Sequence, residues 1–417
     1  MSEIKQVPID QWPEIVRIVA DAYPGMKIVS DDDRKKSLDR LHKTARDSRT
    51  SSWGLYRQSK LIGTMRLIDY TMNLFGKGVP AGGLSMVAVD LLHKKSAVAK
   101  EMVEFYLNYY REKKANWAVL WPFRPDFYYD MGFGYGGKMH VYSISPTNLP
   151  KGPTKAHVRA LGLDDLGLLI ESYNRHYPTT NGLLDENEIN LRNRLEFYPE
   201  LHYTGVEIDG RLEAYYGWRF ESAHTNNILV NNMRGIELVY HTREALAELF
   251  TYLRSQVDQI AKVIIRTPDP DFHFLPADPR DGSDQMLGPI YHQSHQTGVG
   301  AMYRIVNIEG ALRECQHHNF GGVSCRLKLN IRDTLFPIND GSTVAVFENG
   351  NLTVDSKAKH DVDITLTVAD FSSLLLGAVR FRSLYDYGKA VISDTGKIAT
   401  VDKIFLTDRP PACLTAF

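Results

Sequence analysis

Two stretches of the chain carry the same strand pattern about 150 residues apart, and this repeat restricts the folds that are open to it. Gly54–Leu61 (GLYRQSKL) aligns with Gly205–Leu212 (GVEIDGRL) at a spacing of 151 residues. Each copy has a further strand after this segment, and that strand repeats at the same spacing. In the first copy it contains Val87. A chain of 417 residues in which one pattern occurs twice is expected to form two similar domains rather than a single core.

The two copies differ in one connection. Trp117–Trp121 matches Val263–Thr267 at a spacing of only 146 residues, so the second copy is five residues shorter before this strand. The missing residues fall between strand and helix, where the first copy has Asp90–Val98 and the second only His241–Glu244. Because the longer connection is also basic, we expect the first copy to hold the chemistry and the second to be structural.

The first copy predicts two helices, a hairpin, a long strand, a helix and a buried strand, in that order. Asp10 is expected to cap the first helix. The hairpin turns at Gln58 and Ser59, and the two later strands are Gly83–Val89 and Trp117–Trp121. This order mixes helices with one sheet.

The last part of the chain has a different pattern. Asn349 and Gly350, a strong hairpin turn signal, separate two short apolar strands. Asp363–Val368 alternates strictly, and Asp370 is expected to cap a short apolar helix, Phe371–Leu376. With connectors rich in proline at 146–153 and 268–289, the sequence predicts three domains at 1–150, 151–297 and 298–417.

Composition argues against several classes of protein. The 49 Lys and Arg residues balance 50 Asp and Glu residues, so no nucleic acid or membrane partner is expected for the whole surface and any basic site is local. No apolar run is long enough for a signal peptide or a membrane span. Cys315, Cys325 and Cys413 form no CxxC pair, which favours free buried thiols and a cytoplasmic location.

Two histidine pairs could indicate a metal site. They are His292 with His295, and His317 with His318. Neither pair has a cysteine or carboxylate at a familiar ligand spacing, so we expect no metal.

The long connection of the first copy has the features of an anion site. In His93–Lys100 (HKKSAVAK) a strand end leads into a helix whose first turn is small and polar. The N–H groups of that turn have no carbonyl partner within the helix, and the helix dipole adds to the charge of the lysines. Small residues allow a pyrophosphate to approach closely. The alternative is a solvated basic helix start.

The surrounding order resembles the GNAT acetyltransferase superfamily. Its pyrophosphate loop reads Arg/Gln-x-x-Gly-x-Gly/Ala, and Lys94, Ala97 and Ala99 occupy that pattern. Its later helix reads Phe-Tyr-x-x-x-Gly-Phe, which Tyr128 and the Gly-Phe at 132–133 match. Ala97 replaces the first glycine of the loop, so the loop works if that position is helical and is compromised if it needs a positive φ.

A catalytic GNAT unit, a degenerate GNAT-like copy and a C-terminal sterol-carrier-like domain together resemble the enhanced intracellular survival (Eis) family. In the third part, 336–341 (FPINDG) and the helix beginning near Asp370 fit its pattern. The resemblance implies two tandem GNAT-type mixed-sheet domains followed by a sterol-carrier-protein-like α+β domain. It also implies acetyl-CoA as cosubstrate, an amine acceptor and a homo-oligomer, hexameric in the resembling proteins.

The resemblance also implies site residues. Val87, Ala88 and Val89 would bind the pantetheine and thioester through their backbone. Tyr128 would donate a proton to the departing thiolate, and the α-carboxylate of Phe417 would act as base or orient the amine. The pyrophosphate would be held by Lys95, Ser96, Ala97, Val98, Ala99 and Lys100, and the remaining CoA wall would be lined by Phe123 and Arg124.

The proposed base is weak. A free α-carboxyl has a pKa of about 3.5 and an alkyl amine about 10.4, so direct proton transfer is uphill by roughly 9 kcal/mol. Either burial lowers the pKa of the amine, or water relays the proton, or the carboxylate of Phe417 chiefly binds the cation.

The sequence is therefore interpreted as an acetyl-CoA-dependent N-acetyltransferase for small amines, aminoglycoside-like compounds or polyamines, with Asp21, Tyr23 and Asp31 as candidate pocket residues. Two alternatives stay open. One is a protein that binds CoA or an apolar ligand with a disabled GNAT loop. The other is an acetyltransferase that acts on protein amines.

Overall fold

The computed structural model describes residues 2–415 and 417; Met1 and Ala416 lie outside the described residues. Within the described residues, the first part of the chain combines four α-helices with six strands, of which the three between residues 50 and 89 form an antiparallel meander. Its strands are β1 (Ser2–Gln6), β2 (Thr50–Arg57), β3 (Lys60–Leu74), β4 (Lys77–Val89), β5 (Trp117–Leu120) and β6 (Gly134–Tyr135). Its helices are α1 (Trp12–Ala22), α2 (Asp31–Thr44), α3 (Val98–Glu112) and α4 (Pro125–Tyr129).

The second part repeats this order. Its strands are β7 (Lys138–Ile144), β8 (Val158–Leu161), β9 (His202–Ile208), β10 (Arg211–Ser222), β11 (Asn231–Tyr240), β12 (Ile260–Thr267), β13 (Met286–Gly288), β14 (Tyr291–His292) and β15 (Gln296–Val299). Its helices are α5 (Leu166–His176), α6 (Glu188–Phe197) and α7 (Arg243–Arg254).

The third part is an α+β segment. Its strands are β16 (Met302–Ile305), β17 (Cys325–Arg332), β18 (Gly341–Glu348), β19 (Asn351–Val354), β20 (Val362–Thr367) and β21 (Ala390–Ile392). Its helices are α8 (Ile308–Glu314), α9 (Val368–Leu376), α10 (Phe381–Asp386) and α11 (Ile398–Ile404).

Two seven-stranded sheets have equivalent strand orders. The first is β1-β2-β3-β4-β5-β16-β6 and the second, read from the matching end, is β8-β9-β10-β11-β12-β7-β15. In both, the fourth and fifth strands pair in parallel, while the strands before them form antiparallel hairpins. The predicted repeat and the predicted mixed sheets are therefore confirmed.

The last strand of each repeat pairs in the other sheet. β7 follows β6 in the chain but pairs with β12 and β15, whereas β16 follows β15 but pairs with β5 and β6. The compact units accordingly comprise residues up to 136 with 300–408 and 415–417, and residues 137–299 with 409–414. The linear division at 1–150, 151–297 and 298–417 stays a prediction of domain boundaries, but it separates both of these strands from their sheets.

The turns follow the local sequence. Gln58 and Ser59 join β2 to β3 with φ of 49° and 61°, and Asn349 with Gly350 joins β18 to β19 with φ of 49° and 83°. These positive angles are those of hairpin turns whose twist matches that of the strands, so both hairpin predictions are confirmed.

The two predicted helix caps are wrong. The side chain of Asp10 makes no capping hydrogen bond, because residues 9–11 form a short 3-10 turn and α1 begins at Trp12. In the third part Thr367 is the N-cap of α9, and its Oγ1 accepts from Asp370 N at 3.1 Å. α9 starts three residues earlier than predicted, and Asp370 lies inside its first turn.

The core of the first sheet lies under α3. Met102, Val103 and Tyr106 of this helix are buried against Leu67 and Leu84 of the central strands. The burial of this apolar face is what fixes the helix on the sheet, since amphipathic helices gain most of their stability from such packing. The start of α3 is thereby held at the end of β4.

None of the helices formed by residues 2–415 has the length and apolar character needed to cross a membrane. Cys315, Cys325 and Cys413 are all buried free thiols, as predicted.

Candidate active site

The first sheet opens between β4 and β5. The two strands pair in parallel only from Ala81 to Leu84, opposite Trp117 to Leu120. Beyond this point Met86 has a φ of 51°, and the register of β4 against β3 shifts by one residue. A bulge of this kind bends the strand, so the β5-facing backbone of β4 is left unpaired after the bulge.

The hydroxyl of Tyr106 lies where the strands begin to part. It accepts a hydrogen bond from Val119 N at 3.0 Å and donates to Gly82 O at 2.6 Å. The ring is completely buried. Tyr106 therefore bridges β4 and β5 at the base of the opening, a role that the sequence analysis did not predict.

Val87, Ala88 and Val89 follow the bulge, where a ligand could add to the free edge of β4. On their other side Ala88 and Val89 pair with Thr64 and Gly63 of β3. The hydroxyl of Tyr23 donates to Val87 O at 2.6 Å. Tyr23, at the end of α1, was predicted only as a pocket residue, and this contact could not be derived from the sequence.

The loop that leads into α3 is exposed and strained. Lys95 and Ala97 both have left-handed backbone, with φ of 61° and 62°. Ala97 is the N-cap of α3, and its side chain cannot cap the helix. The N–H groups of the first helical turn, which includes Val98, Ala99 and Lys100, therefore have no capping side chain. The sequence analysis expected the loop to be compromised if Ala97 needed a positive φ, and the structure shows that case, in which an alanine is strained and a glycine would be preferred.

The second copy closes the equivalent helix end. Only two residues separate β11 from α7, compared with eight between β4 and α3. Thr242 caps α7 by accepting a hydrogen bond from Ala245 N at 3.1 Å. This occupied N-cap makes the second helix start a poor anion site, whereas the first one is open.

Positive charge surrounds the open helix start. Lys94, Lys95 and Lys100 are exposed there. Arg57, at the end of β2, donates to Ser96 O at 3.0 Å and forms an ion pair with Glu101 at 2.5 Å. Arg57 is distant in sequence, so the sequence analysis missed it.

Replacing Ala97 with glycine tests the strain in this loop. Left-handed backbone costs an alanine about 1 kcal/mol relative to glycine. We expect Ala97→Gly to raise the midpoint of thermal unfolding by roughly 2 °C and to leave the start of α3 open. Ala99→Gly, inside the helix, is the matched control and should instead lower it by a similar amount. A destabilised Ala97→Gly variant would contradict the argument.

Tyr128 lies in α4, directly after β5. Its ring is 2% exposed and contacts Phe123, Phe127 and Phe133 edge-on. Its hydroxyl has no hydrogen-bond partner among the described residues. Burial, and then the nearby Tyr23, raise the pKa of Tyr128 well above that of an ordinary tyrosine. The hydroxyl therefore stays protonated at neutral pH and is able to donate.

Phe123 and Arg124, the predicted CoA wall, lie between β5 and α4. Phe123 is 60% exposed, with its ring centroid 5.9 Å from that of Tyr128. Arg124 forms an exposed ion pair with Asp126 at 2.5 Å. Phe123 thus offers an open apolar face beside Tyr128, whereas the charge of Arg124 is already paired.

A buried ion pair holds the turn after α4. Gly132 has a φ of 83°, and a Cβ there would lie 1.3 Å from Nη1 of Arg304. That guanidinium donates to Met131 O at 2.6 Å and pairs with Asp333 at 2.6 Å. The glycine of the Phe-Tyr-x-x-x-Gly-Phe pattern is therefore required both by its backbone angle and by the arginine from β16.

Phe417 packs on the face of the first sheet that is opposite to α3. Its ring centroid is 5.3 Å from that of Tyr70 on β3. Two residues earlier, Thr415 is buried, and its carbonyl accepts a hydrogen bond from Trp121 Nε1 at 3.1 Å. The segment from Thr415 thus belongs to the unit that contains Tyr128. No contact between Phe417 and Tyr128 is found among the described residues.

The candidate pocket acids have ordinary contacts. Asp21 lies 3.7 Å from Arg17 on α1, and Asp31 begins α2. Where the structure describes the chain, no group of three or more His, Cys, Asp or Glu side chains is arranged to hold a metal ion.

Comparisons with protein families agree with this geometry. Residues 3–136 match the acetyltransferase (GNAT) domain, and residues 308–414 match the sterol carrier protein domain. The chain therefore contains a GNAT acetyltransferase domain and a sterol carrier protein domain. No curated protein matches it in sequence.

Solved structures share the fold of this acetyltransferase along their whole lengths. A GCN5-related N-acetyltransferase from Anabaena variabilis superposes with a TM-score of 0.82 at 17% identity. A GCN5-related N-acetyltransferase from Kribbella flavida gives 0.78 at 18%, and Eis1 from Mycobacterium abscessus gives 0.77 at 18%. Each comparison covers 100% of both chains. The Eis-type architecture, with two GNAT-type sheets and a sterol-carrier-like segment, is thereby confirmed.

Proposed function

We propose that this acetyltransferase transfers an acetyl group from acetyl-CoA to the amine of a small molecule. The observation that carries the proposal is the difference between the two copies. Only the first combines an opened β4–β5 edge with an uncapped helix start, whereas Thr242 caps the second. An uncapped helix start with exposed lysines is suited to a pyrophosphate, and an open strand edge is suited to the amides of pantetheine.

Each part of CoA has a proposed set of contacts. The pantetheine amides and the thioester would bind the backbone of Val87, Ala88 and Val89. Phe123 would cover the apolar part, and Arg124 would lie near the mouth. The pyrophosphate would bind the N–H groups and side chains of Lys95, Ser96, Ala97, Val98, Ala99 and Lys100. Arg57, whose charge is paired with Glu101, would support the loop through its contact with Ser96 O.

The reaction requires two proton movements. The neutral amine of the acceptor attacks the thioester carbonyl, a C–N bond forms, and the C–S bond breaks. The amine nitrogen then loses a proton, and the CoA sulfur gains one. Tyr128 is the proposed donor to sulfur, because its raised pKa keeps the hydroxyl protonated. Tyr23 lies close enough to influence the pKa of Tyr128, and it also contacts Val87 O, which links the acid to the thioester strand.

The second proposed group is the free α-carboxylate of Phe417. Its support is the packing of the Phe417 ring on Tyr70 and the anchoring of Thr415 by Trp121. Since a carboxylate is roughly 7 pKa units less basic than an alkyl amine, we assign it to orienting the ammonium ion and passing its proton to water.

Amine-dependent release of CoA tests the proposed function. We expect release with small amines, whereas activity confined to peptides would favour a protein acceptor. Calorimetry with CoA addresses the alternative of a disabled loop, and an absence of heat would contradict the proposal. The predicted homo-oligomer and its hexameric form stay predictions.

Ser96→Glu tests the phosphate loop directly. A carboxylate beside the pyrophosphate adds like charge, so we expect the Kd for CoA to rise at least about 10-fold. Ser96→Ala is the matched control, because it keeps the backbone N–H and adds no charge. Equal affinity in both variants would rule out this loop as the CoA site.

A further inference from the structure

Arg66 stands on the face of the first sheet that carries Phe417. It alternates along β3 with Met65 and Leu67, both of which are buried in the core with α3. Side chains of successive strand residues point to opposite faces, so Arg66 projects away from α3. Its charge interacts with Tyr70, four residues along the same face, on whose ring Phe417 packs.

Among the residues that the structure describes, the guanidinium of Arg66 has no acidic partner. Its Nε is buried and has no hydrogen-bond partner, and within residues 2–415 and 417 no carboxylate forms an ion pair with it. Burial lowers the pKa of Arg66, yet an arginine remains charged in proteins. Every other arginine discussed above, Arg17, Arg57, Arg124 and Arg304, pairs with a carboxylate.

Hydroxyl groups flank Arg66 on both sides. In the sheet it lies directly opposite Ser52 of β2 and Ser85 of β4. Opposite residues in an antiparallel pair project to the same face, with Cβ atoms about 5 Å apart. Arg66 and these serines thus form a row of hydrogen-bond donors across three strands. Arg66 is only partly shielded from solvent, but its buried Nε has no hydrogen-bond partner, so such a row is suited to bind an anion.

The row lies next to the proposed thioester site. Thr64, two residues before Arg66 on β3, pairs with Ala88 of β4. Two residues along a strand span about 6.6 Å. The Cα of Arg66 therefore lies about that far along β3 from Thr64, the residue that pairs with Ala88. An acceptor amine at the thioester and an anionic group of the same molecule at Arg66 would need only a short spacer.

We infer that Arg66, with Ser52 and Ser85, binds an oxyanion of the acceptor. The substrate class is then an amine that also carries a carboxylate or phosphate, rather than a polycation. This inference rests on the proposed function, because it assigns the second end of the acceptor in the same site. Arg66 becomes the specificity-determining residue, since an acceptor that carries an oxyanion gains from its positive charge and a polycationic amine does not.

Matched acceptors test the inference. L-Lysine and 1,5-diaminopentane differ by one carboxylate, and phosphoethanolamine and ethanolamine differ by one phosphate. We expect kcat/KM for at least one oxyanion-bearing amine to exceed that of its partner by 10-fold or more. In Arg66→Gln the preference should disappear, while the rate with the partner amine is kept or rises. The pair that shows the preference identifies which oxyanion is bound.

Two controls separate this role from others. Arg219→Gln removes an exposed arginine of β10 and should leave the preference intact. If Arg66 instead held the carboxylate of Phe417, Arg66→Gln would slow all amines equally and leave the preference unchanged. Equal rates with both members of each pair in the unaltered protein would also overturn the inference, although the acetyl transfer itself would stand.

Calorimetric binding of L-lysine and phosphoethanolamine to the CoA-loaded protein gives a readout without turnover. We expect the one that binds to lose at least 10-fold in affinity in Arg66→Gln. If no amine were acetylated but Arg66→Gln still weakened binding of one of these compounds, the proposed function would be refuted and the anion site supported. Undetectable binding, or binding unaffected by Arg66→Gln, would refute the anion site.

Discussion

Replacing Tyr128 with phenylalanine is expected to lower kcat for amine-dependent CoA release about 100-fold or more, while the Kd for CoA stays within about twofold. The reason is that the hydroxyl is the only part removed. The ring, which packs among Phe123, Phe127 and Phe133, keeps its contacts. Because burial raises the pKa of the hydroxyl, it is protonated over the neutral range and supplies the proton that the thiolate needs. Steady-state kinetics together with calorimetry separate the two parameters.

Tyr135→Phe serves as the matched control. Tyr135 is more exposed, on the edge strand β6, and losing its hydroxyl should change kcat by less than about twofold. If Tyr128→Phe retained more than a third of the rate, the leaving thiolate would need another proton donor.

The same assay tests Phe417. Adding two glycines after Phe417 moves the carboxylate away from the ring that packs on Tyr70, and Phe417→Leu keeps the carboxylate in position. We expect the extension to impair turnover more than the substitution does. Unchanged turnover after the extension would show that this carboxylate has no role.

The second large effect is expected at the buried ion pair of Arg304 and Asp333. Both side chains are almost completely shielded from solvent, and Arg304 also holds the turn after Tyr128 through Met131 O. Removing one partner leaves an uncompensated buried charge, which typically costs 3–5 kcal/mol of the free energy of unfolding, about the magnitude expected for Asp333→Ala. Denaturant unfolding measures this loss. The double variant Arg304→Met with Asp333→Leu should recover a large part of it.

Asp361→Ala provides the contrast. Asp361 pairs with Arg326 at 2.5 Å, but that pair is exposed, so its loss is expected to cost no more than about 1 kcal/mol. If the two single variants were equally destabilising, burial would not be the cause of the effect at Asp333.

Local sequence was sufficient for the repeat, the hairpins and the exposed, uncapped start of α3. The turns at Gln58 and Asn349 depend on a few neighbouring residues, and the uncapped start of α3 depends on the residues of its own loop. The GNAT motifs around Tyr128 are likewise short and contiguous. Such features are readable because the forces that set them act between residues close in sequence.

Other features depended on which distant residues meet. The helix cap at Thr367 was missed because Asp370 and Thr367 are equally suitable by residue type, and the packing of α9 decides between them. Arg57 and Arg66 gave no local signal, and Tyr23 was predicted only as a pocket residue. Their roles arise from contacts with Ser96 and Val87, and from the absence of an acid beside Arg66 among the described residues.

The sequence by itself determined that the chain contains two copies of one mixed-sheet fold, that only the first has an open basic helix start, and that a third α+β part follows. Only the tertiary structure decided that β7 and β16 complete each other's sheets, and that Arg304 of β16 pairs with Asp333 behind Tyr128. The physical reason is that strand pattern and helix capping are local, whereas a strand's choice of sheet depends on which exposed edge gives it hydrogen bonds and an apolar face. That choice involves residues about 120 to 190 positions apart, and no short pattern records it.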